Sequence, residues 1–201
     1  MIVGVLRCAA LAAVTGLMAG CSSSPPIHFY TLSAEAAETG SENRTGLRIA
    51  VAPISLPDVV DRPQIVIRSG PNQVTLADEY RWAESLKTEI PRVIAENLRR
   101  LLGTGQVWTY PQHVPGSVDY RVLLEIQRFE STPGQIAAID ALWTVQHHSQ
   151  EGVESKTGRS TVQQPVSGQE YDAVAAAHSQ ALASIAREIA DTIRASSTAT
   201  R

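Results

Sequence analysis

Between Glu84 and Leu102 the apolar residues Leu86, Ile90, Val93, Ile94, Leu98, Leu101 and Leu102 recur every three or four places, which is the period of one buried stripe on an α-helix. The same period returns in Val174, His178, Ala181, Leu182, Ile185, Ile189 and Ile193 and predicts a second helix over Asp172 to Ala195. The remaining apolar runs alternate or are β-branched. Two one-sided helices set among strands must bury their stripes on a sheet, so the expected fold class is α+β: a single domain over residues 28–195, with a mixed or antiparallel sheet and two main helices packed on it. In the first helix Arg92, Glu96 and Arg100 lie on the polar face at i, i+4 spacing, and Gly103 is the expected stop. Pro91 conflicts with the pattern. An interior proline costs ~3 kcal/mol, so the helix either starts near Glu89 or kinks there.

Strands are expected at His28 to Leu32, at Leu47 to Ile54 ending at Pro53 or Pro57, and at Gln64 to Arg68 and Gln73 to Leu76 around a Ser69 to Asn72 turn. Further strands are expected at Gln106 to Tyr110, Asp119 to Glu130 and Gln135 to His148, the last two closed into a hairpin near Pro133 and Gly134. Gln150 to Gly158 reads as a polar turn before a final strand at Arg159 to Val166. Ser33 to Gly46 has no large apolar residue and reads as a flexible surface connection; residues 196–201 read as a disordered tail.

The N-terminus belongs to a different class of segment. Arg7 is the only charge before Glu35, and the apolar run from Cys8 to Met18 is too short to span a bilayer, where roughly 20 residues are needed. This is the pattern of a secretory signal over residues 1–20. Leu17, Met18, Ala19 and Gly20 before Cys21, followed by three serines, resemble a bacterial lipobox, so Cys21 is the expected lipidation site. Residues 21–27 then form an anchor and a short tether that reaches about 20 Å at full extension. The chain's two cysteines, Cys8 and Cys21, both precede the domain, which leaves the domain without a disulfide and dependent on its core. Ser22 stands where an inner-membrane retention signal would resemble Asp, which implies the periplasmic face of the outer membrane of a Gram-negative bacterium.

The formal charge of −3, with no basic run, argues against nucleic acid as a partner. Nucleophile-elbow, zinc-protease and phosphate-loop motifs are missing from the sequence, so no catalytic residue, no metal site and no cofactor are expected. His147 and His148 are neighbours on a strand and face opposite ways; His178 falls on the buried stripe of the second helix and reads as a hydrogen-bonded core residue. Asp58 and Asp61, beside Pro57 and Pro63, read as loop caps.

Two strings remain: Pro57-Asp58-Val59-Val60-Asp61-Arg62-Pro63-Gln64-Ile65-Val66-Ile67-Arg68, and Tyr80-Arg81-Trp82-Ala83-Glu84-Ser85-Leu86. With Phe29 to Leu32, Ile49 to Ile54, Glu96 to Leu98, Arg128, Phe129 and Trp143, they resemble the PqiC-like (YmbA-like) ABC-type transport auxiliary lipoproteins over about Phe29 to Ile193. Ser85 departs from that pattern, which commonly has Pro there. The resemblance implies a non-enzymatic outer-membrane partner of a periplasmic MCE-domain protein in an ABC-type system that moves phospholipid or other lipids between the membranes and supports membrane integrity. A structural lipoprotein of an envelope-assembly or secretion complex is the alternative. Two site expectations follow. Asp58, Val59, Val60, Asp61 and Arg62 form a stiff loop for partner binding, with Val59 or Val60 as the exposed apolar anchor. Arg62, Arg68, Arg81, Trp82 and Glu84 form one structural cluster at the base of the sheet. A homo-oligomeric ring is a reasonable extension, since one small domain cannot enclose a lipid path.

Overall fold

Strand β6 (Tyr120–Thr132) organises the molecule. One of its edges pairs antiparallel with β7 (Ile136–Ser149) along its whole length, and β7 carries β8 (Gly152–Pro165) beyond it. The other edge is shared. Its first residues pair in parallel with β2 (Ile49–Val51), and Ser131, near its end, pairs with Ile67 of β3 (Gln64–Gly70). From β2 the sheet continues to β5 (Val107–Thr109); from β3 it continues to β4 (Gln73–Trp82) and then to β1 (His28–Tyr30). The result is one mixed eight-stranded sheet that splits into two branches past β6. The structure, a computed structural model, describes residues 25–37, 46–110, 116–150 and 152–199. The expected signal segment and Cys21 lie outside the described residues.

Two helices, α1 (Leu86–Leu102) and α2 (Tyr171–Ala199), complete the α+β domain. Helix α1 packs on β2 and β5, and α2 packs on β7, β8 and α1. Their stripes meet the inner face of the sheet in one core that includes Ile49, Ile90, Ile94, Val122, Ile139, Leu182 and Ile185. A register shift between Ile126 and Arg128 changes the phase of β6, so that Phe129 and Ser131 are buried after Tyr120, Val122, Leu124 and Ile126.

Helix α1 starts at Leu86, and Pro91 lies inside it as its sixth residue. Its first turn is held by the burial of Leu86, Glu89 and Ile90 and by Ser85, whose Oγ accepts from the Lys87 amide at 3.3 Å. The residue that departs from the family pattern is therefore the helix cap. At the other end Gly103 adopts φ 62° and its N–H reaches the Arg99 carbonyl.

Four expectations need correction. Residues 152–158 belong to strand β8, whose pairing with β7 runs without a break from Ser149 and Gly152 to Ile136 and Pro165. Residues 152–157 are exposed on the sheet edge and bury no stripe, so this half of the strand shows no alternation in the sequence. Strand β4 runs on through Arg81 and Trp82, because β1 and β3 pair with its charged later half. Helix α2 continues through residues 196–199, where Ser196 is buried and donates its hydroxyl to the Thr192 carbonyl. Finally, residues 33–37 are pinned to the helices. The Leu32 and Ala36 amides donate to Glu89 Oε1 and Asn97 Oδ1, both at 2.8 Å, and the Ser33 amide donates to Ser179 Oγ at 3.0 Å. The rest of the expected connection, residues 38–45, lies outside the described residues.

Candidate functional site

The gap between the two branches is filled by residues 52–63, and three prolines explain the local path. Pro53, Pro57 and Pro63 have no N–H for a ladder, so after the Ala52 amide reaches the Val122 carbonyl the chain leaves the sheet. It touches β6 once more, at the Ser55–Glu125 bridge, before the turns that follow. Turns close from the Val60 amide to the Pro57 carbonyl at 3.0 Å and from the Arg62 amide to the Val60 carbonyl at 2.9 Å. The Trp82 amide then donates to Pro63 at 2.8 Å and ties the end of the loop to β4.

This geometry separates the two valines. Val60 is 6% exposed and belongs to the hydrophobic core with Leu56 and Val66, whereas Val59 is 44% exposed. Of the two positions expected to offer an exposed apolar side chain, only Val59 does; Val60 is core. Asp58 is exposed, and Asp61 holds Lys87 Nζ at 2.5 Å, which braces the loop against α1. Arg62 is half-buried, with its Nε unpartnered among the described residues. Beside Val59 lies a depression of about 100 Å³ whose walls include Pro57, Val60, Val66, Val74 and Phe129.

A charged network borders that depression. Glu130 receives Arg68 on one carboxylate oxygen and Arg128 on the other, the latter at 2.8 Å, and Arg128 also approaches Asp140 at 3.9 Å. Burial opposes ionisation of Glu130, but the hydrogen bonds from Arg68 and Arg128 outweigh it and hold the carboxyl below its ordinary range.

The expected single cluster of Arg62, Arg68, Arg81, Trp82 and Glu84 does not form. Arg68 pairs with Val74 near the tip of the β3–β4 hairpin, whereas Arg81 pairs with Gln64 at its base. Arg81 and Trp82 are consecutive on a strand and face opposite ways. Arg81 Nε reaches the Asp78 carbonyl at 3.2 Å, and Glu84 is exposed. Trp82 alone is buried, and its ring meets Phe129 and His178 edge-on at 6.1 and 6.3 Å.

One arrangement that the sequence did not reveal has the form of a nucleophile and its base. Ser131 Oγ lies 2.8 Å from His178 Nε2, a contact joining β6 to α2 across 47 positions of sequence. Both side chains are sealed from solvent, and burial lowers the His178 pKa to about 3. The pair joins strand to helix as a buried hydrogen bond, the contact expected for a core histidine. Among the described residues there is no group of three potential metal ligands and no helix long and apolar enough to cross a membrane.

A second missed feature is the carboxylate of Glu89, which is fully buried on the α1 stripe. Besides the Leu32 amide it receives Arg92 at 3.3 Å. Burial raises its pKa, and the Leu32 amide and Arg92 only partly oppose that.

Among solved structures, the chain is similar to an uncharacterised protein at 17% identity and TM-score 0.64, an alignment covering 84% of this chain and 99% of that one. It is also similar to protein XCC0632 from Xanthomonas campestris at 21% identity and TM-score 0.62, covering 87% of this chain and 99% of that one. At these identities the likeness is one of fold. No curated protein matches the sequence. The family model of the ABC-type transport auxiliary lipoprotein component matches residues 30–190, from the end of β1 through most of α2, and the chain belongs to that family.

Proposed function

We propose that this membrane-anchored auxiliary lipoprotein of ABC-type transport is acylated at Cys21, resides on the periplasmic face of the outer membrane, and docks a periplasmic MCE-domain protein of a lipid transport system. In this reading it does no chemistry. Val59 carries the proposal: it is an exposed valine on a loop stiffened by prolines and by the Asp61–Lys87 ion pair, and it stands next to an apolar depression. A loop already held in place loses little conformational entropy on docking. Asp58, Asp61 and Arg62 surround the valine as a polar rim, which suits them to tuning association more than to carrying affinity. An oligomeric ring that encloses a lipid path extends the same reading.

The test is co-purification with the MCE-domain partner, comparing wild type with Val59→Ser. Because Val59 is exposed, the variant keeps its fold by circular dichroism, and the expected loss of affinity is about tenfold, the loss of a modest anchor. Equal recovery by a folded variant removes the loop from the interface. Failure of the wild type to recover the partner removes the lipid-transport reading. The anchor is tested separately: Cys21→Ala should release the protein from the outer-membrane fraction, and unchanged fractionation overturns acylation there.

A further inference from the structure

The edge of the sheet nearest the N-terminus carries apolar and aromatic side chains that the fold leaves uncovered. Phe29, in β1, is 63% exposed, and Ile27 just before it is 44% exposed. On β1 the parallel register places His28 opposite Tyr80 and Tyr30 opposite Trp82, so Phe29 is out of phase with them and points to the other face. The in-phase side chains form a stack. His28 lies over Tyr80 at 5.4 Å, Tyr80 lies flat on Tyr171 of α2 at 4.0 Å, and Tyr30 leans on both tyrosines at 6.2 to 6.3 Å. The edge therefore presents amphipathic rings with hydroxyl or imidazole tips on one side, and a bare phenyl ring and an isoleucine on the other.

The chain itself indicates what covers this edge. Ile27 lies only six positions after Cys21, a reach of about 20 Å when fully extended. Pro25 and Pro26 stiffen the end of that segment. If acyl chains hold Cys21 in a leaflet, β1 is the part of the domain that must stay closest to the headgroups. Aromatic rings with one apolar body and one polar tip favour that boundary, and an exposed Phe and Ile gain by entering it. The local charge is mixed: Glu79, Glu170 and Asp172 lie close enough to the tyrosines to influence their ionisation, and Arg81 stands opposite Phe29 in the register, so the edge carries both signs and suits a zwitterionic surface.

We propose that Ile27 and Phe29, backed by the His28, Tyr30, Tyr80 and Tyr171 stack, form a membrane-docking edge that seats the domain on the zwitterionic headgroup region of the leaflet holding its anchor. This rests on acylation at Cys21. Docking fixes the orientation of the domain, which a six-residue tether alone would leave to swivel.

The experiment uses the acylated protein reconstituted in vesicles of phosphatidylethanolamine and phosphatidylcholine, with a nitrobenzoxadiazole probe on Ile27→Cys or Phe29→Cys. Val153→Cys, on the distant β8 edge and also exposed, is the control. Probes at 27 and 29 should emit to the blue of the probe at 153 and be quenched by lipids spin-labelled near the headgroup. A probe at Thr31→Cys should lose part of its response when Ile27 and Phe29 are both replaced by Ser. Water-like emission at 29 in protein whose intact mass shows the acyl chains overturns the docking edge and leaves the lipoprotein reading standing. Absence of acyl mass overturns acylation, and the docking edge with it. A blue shift that persists without vesicles and ignores spin-labelled lipid means that a protein surface covers the edge, which also overturns the proposal.

Discussion

The imidazole of His178 lies flat on the ring of Phe129, with centroids 3.9 Å apart and 8° between the planes. Its Nε2 meets Ser131 Oγ, and among the described residues Nδ1 has no hydrogen-bond partner. Helix α2 thus rests on β6 through a ring that must stay neutral to stay buried.

Burial alone lowers the His178 pKa from 6.5 to about 3. Between those values the unfolded chain holds a proton that the folded chain does not, so this contribution to stability is complete above pH 6.5 and is lost as pH falls through the window. The loss is about 1.4 kcal/mol per pH unit, or ~2 kcal/mol by pH 5. His178→Gln should lack it. Denaturation of both proteins at pH 7 and pH 5 checks this; parallel loss in the two would show that His178 is not the sensitive group.

Glu89 has the opposite sign. Burial raises its folded pKa above 4.5, so its contribution is fully present below pH 4.5 and declines as pH rises through the raised value. Glu89→Gln should accordingly gain stability relative to wild type between pH 4 and pH 8. Glu89→Ala should lose ~1 to 3 kcal/mol, because the Leu32 amide is left unpaired. A pH-independent difference between wild type and the Gln variant would contradict the assignment.

Trp82 is the buried member of the Arg-Trp-Ala-Glu string. Replacing it with Ala should cost about 3 to 5 kcal/mol, while Arg81→Ala and Glu84→Ala stay within about 0.5 kcal/mol of wild type. Urea titration of the three variants separates a core role from a charged cluster. Equal destabilisation by all three would restore the cluster that the register breaks up.

Gly158 lies opposite Trp143 in the β7–β8 ladder, and a methyl group added there would sit 2.2 Å from the indole. The indole cannot easily move aside, since it is buried and its Nε1 donates to Ser160 Oγ at 2.9 Å. Gly158→Ala should cost about 1 to 3 kcal/mol and shift the tryptophan emission. An unchanged thermal midpoint and spectrum would show that the strand edge yields.

Where a side-chain pattern reports burial, the sequence was legible. The stripes of Leu86 to Leu102 and Val174 to Ile193 specify two helices, alternation through Tyr120 to Ile126 marks β6, and the strings around Asp61 and Trp82 fall inside the segment that the family matches. These are local signals, because each repeats within one or two turns of a helix or a few residues of a strand. What only the tertiary structure decided depends on partners far away in the chain. The first half of strand β8, residues 152–158, exists because β7 offers it a ladder, and its exposed side chains leave no trace of that in the sequence. Val59 and Val60 are indistinguishable as letters, and only the path of the loop over Val66 buries one and exposes the other. Burial of Glu89 and Asn97 shows only once the Leu32 and Ala36 amides arrive to satisfy them, and for His178, legible as a hydrogen-bonded core residue, the fold alone supplies the partner, Ser131. Periodicity records which face is buried, whereas the partner that makes burial of a polar group affordable is brought in by the fold.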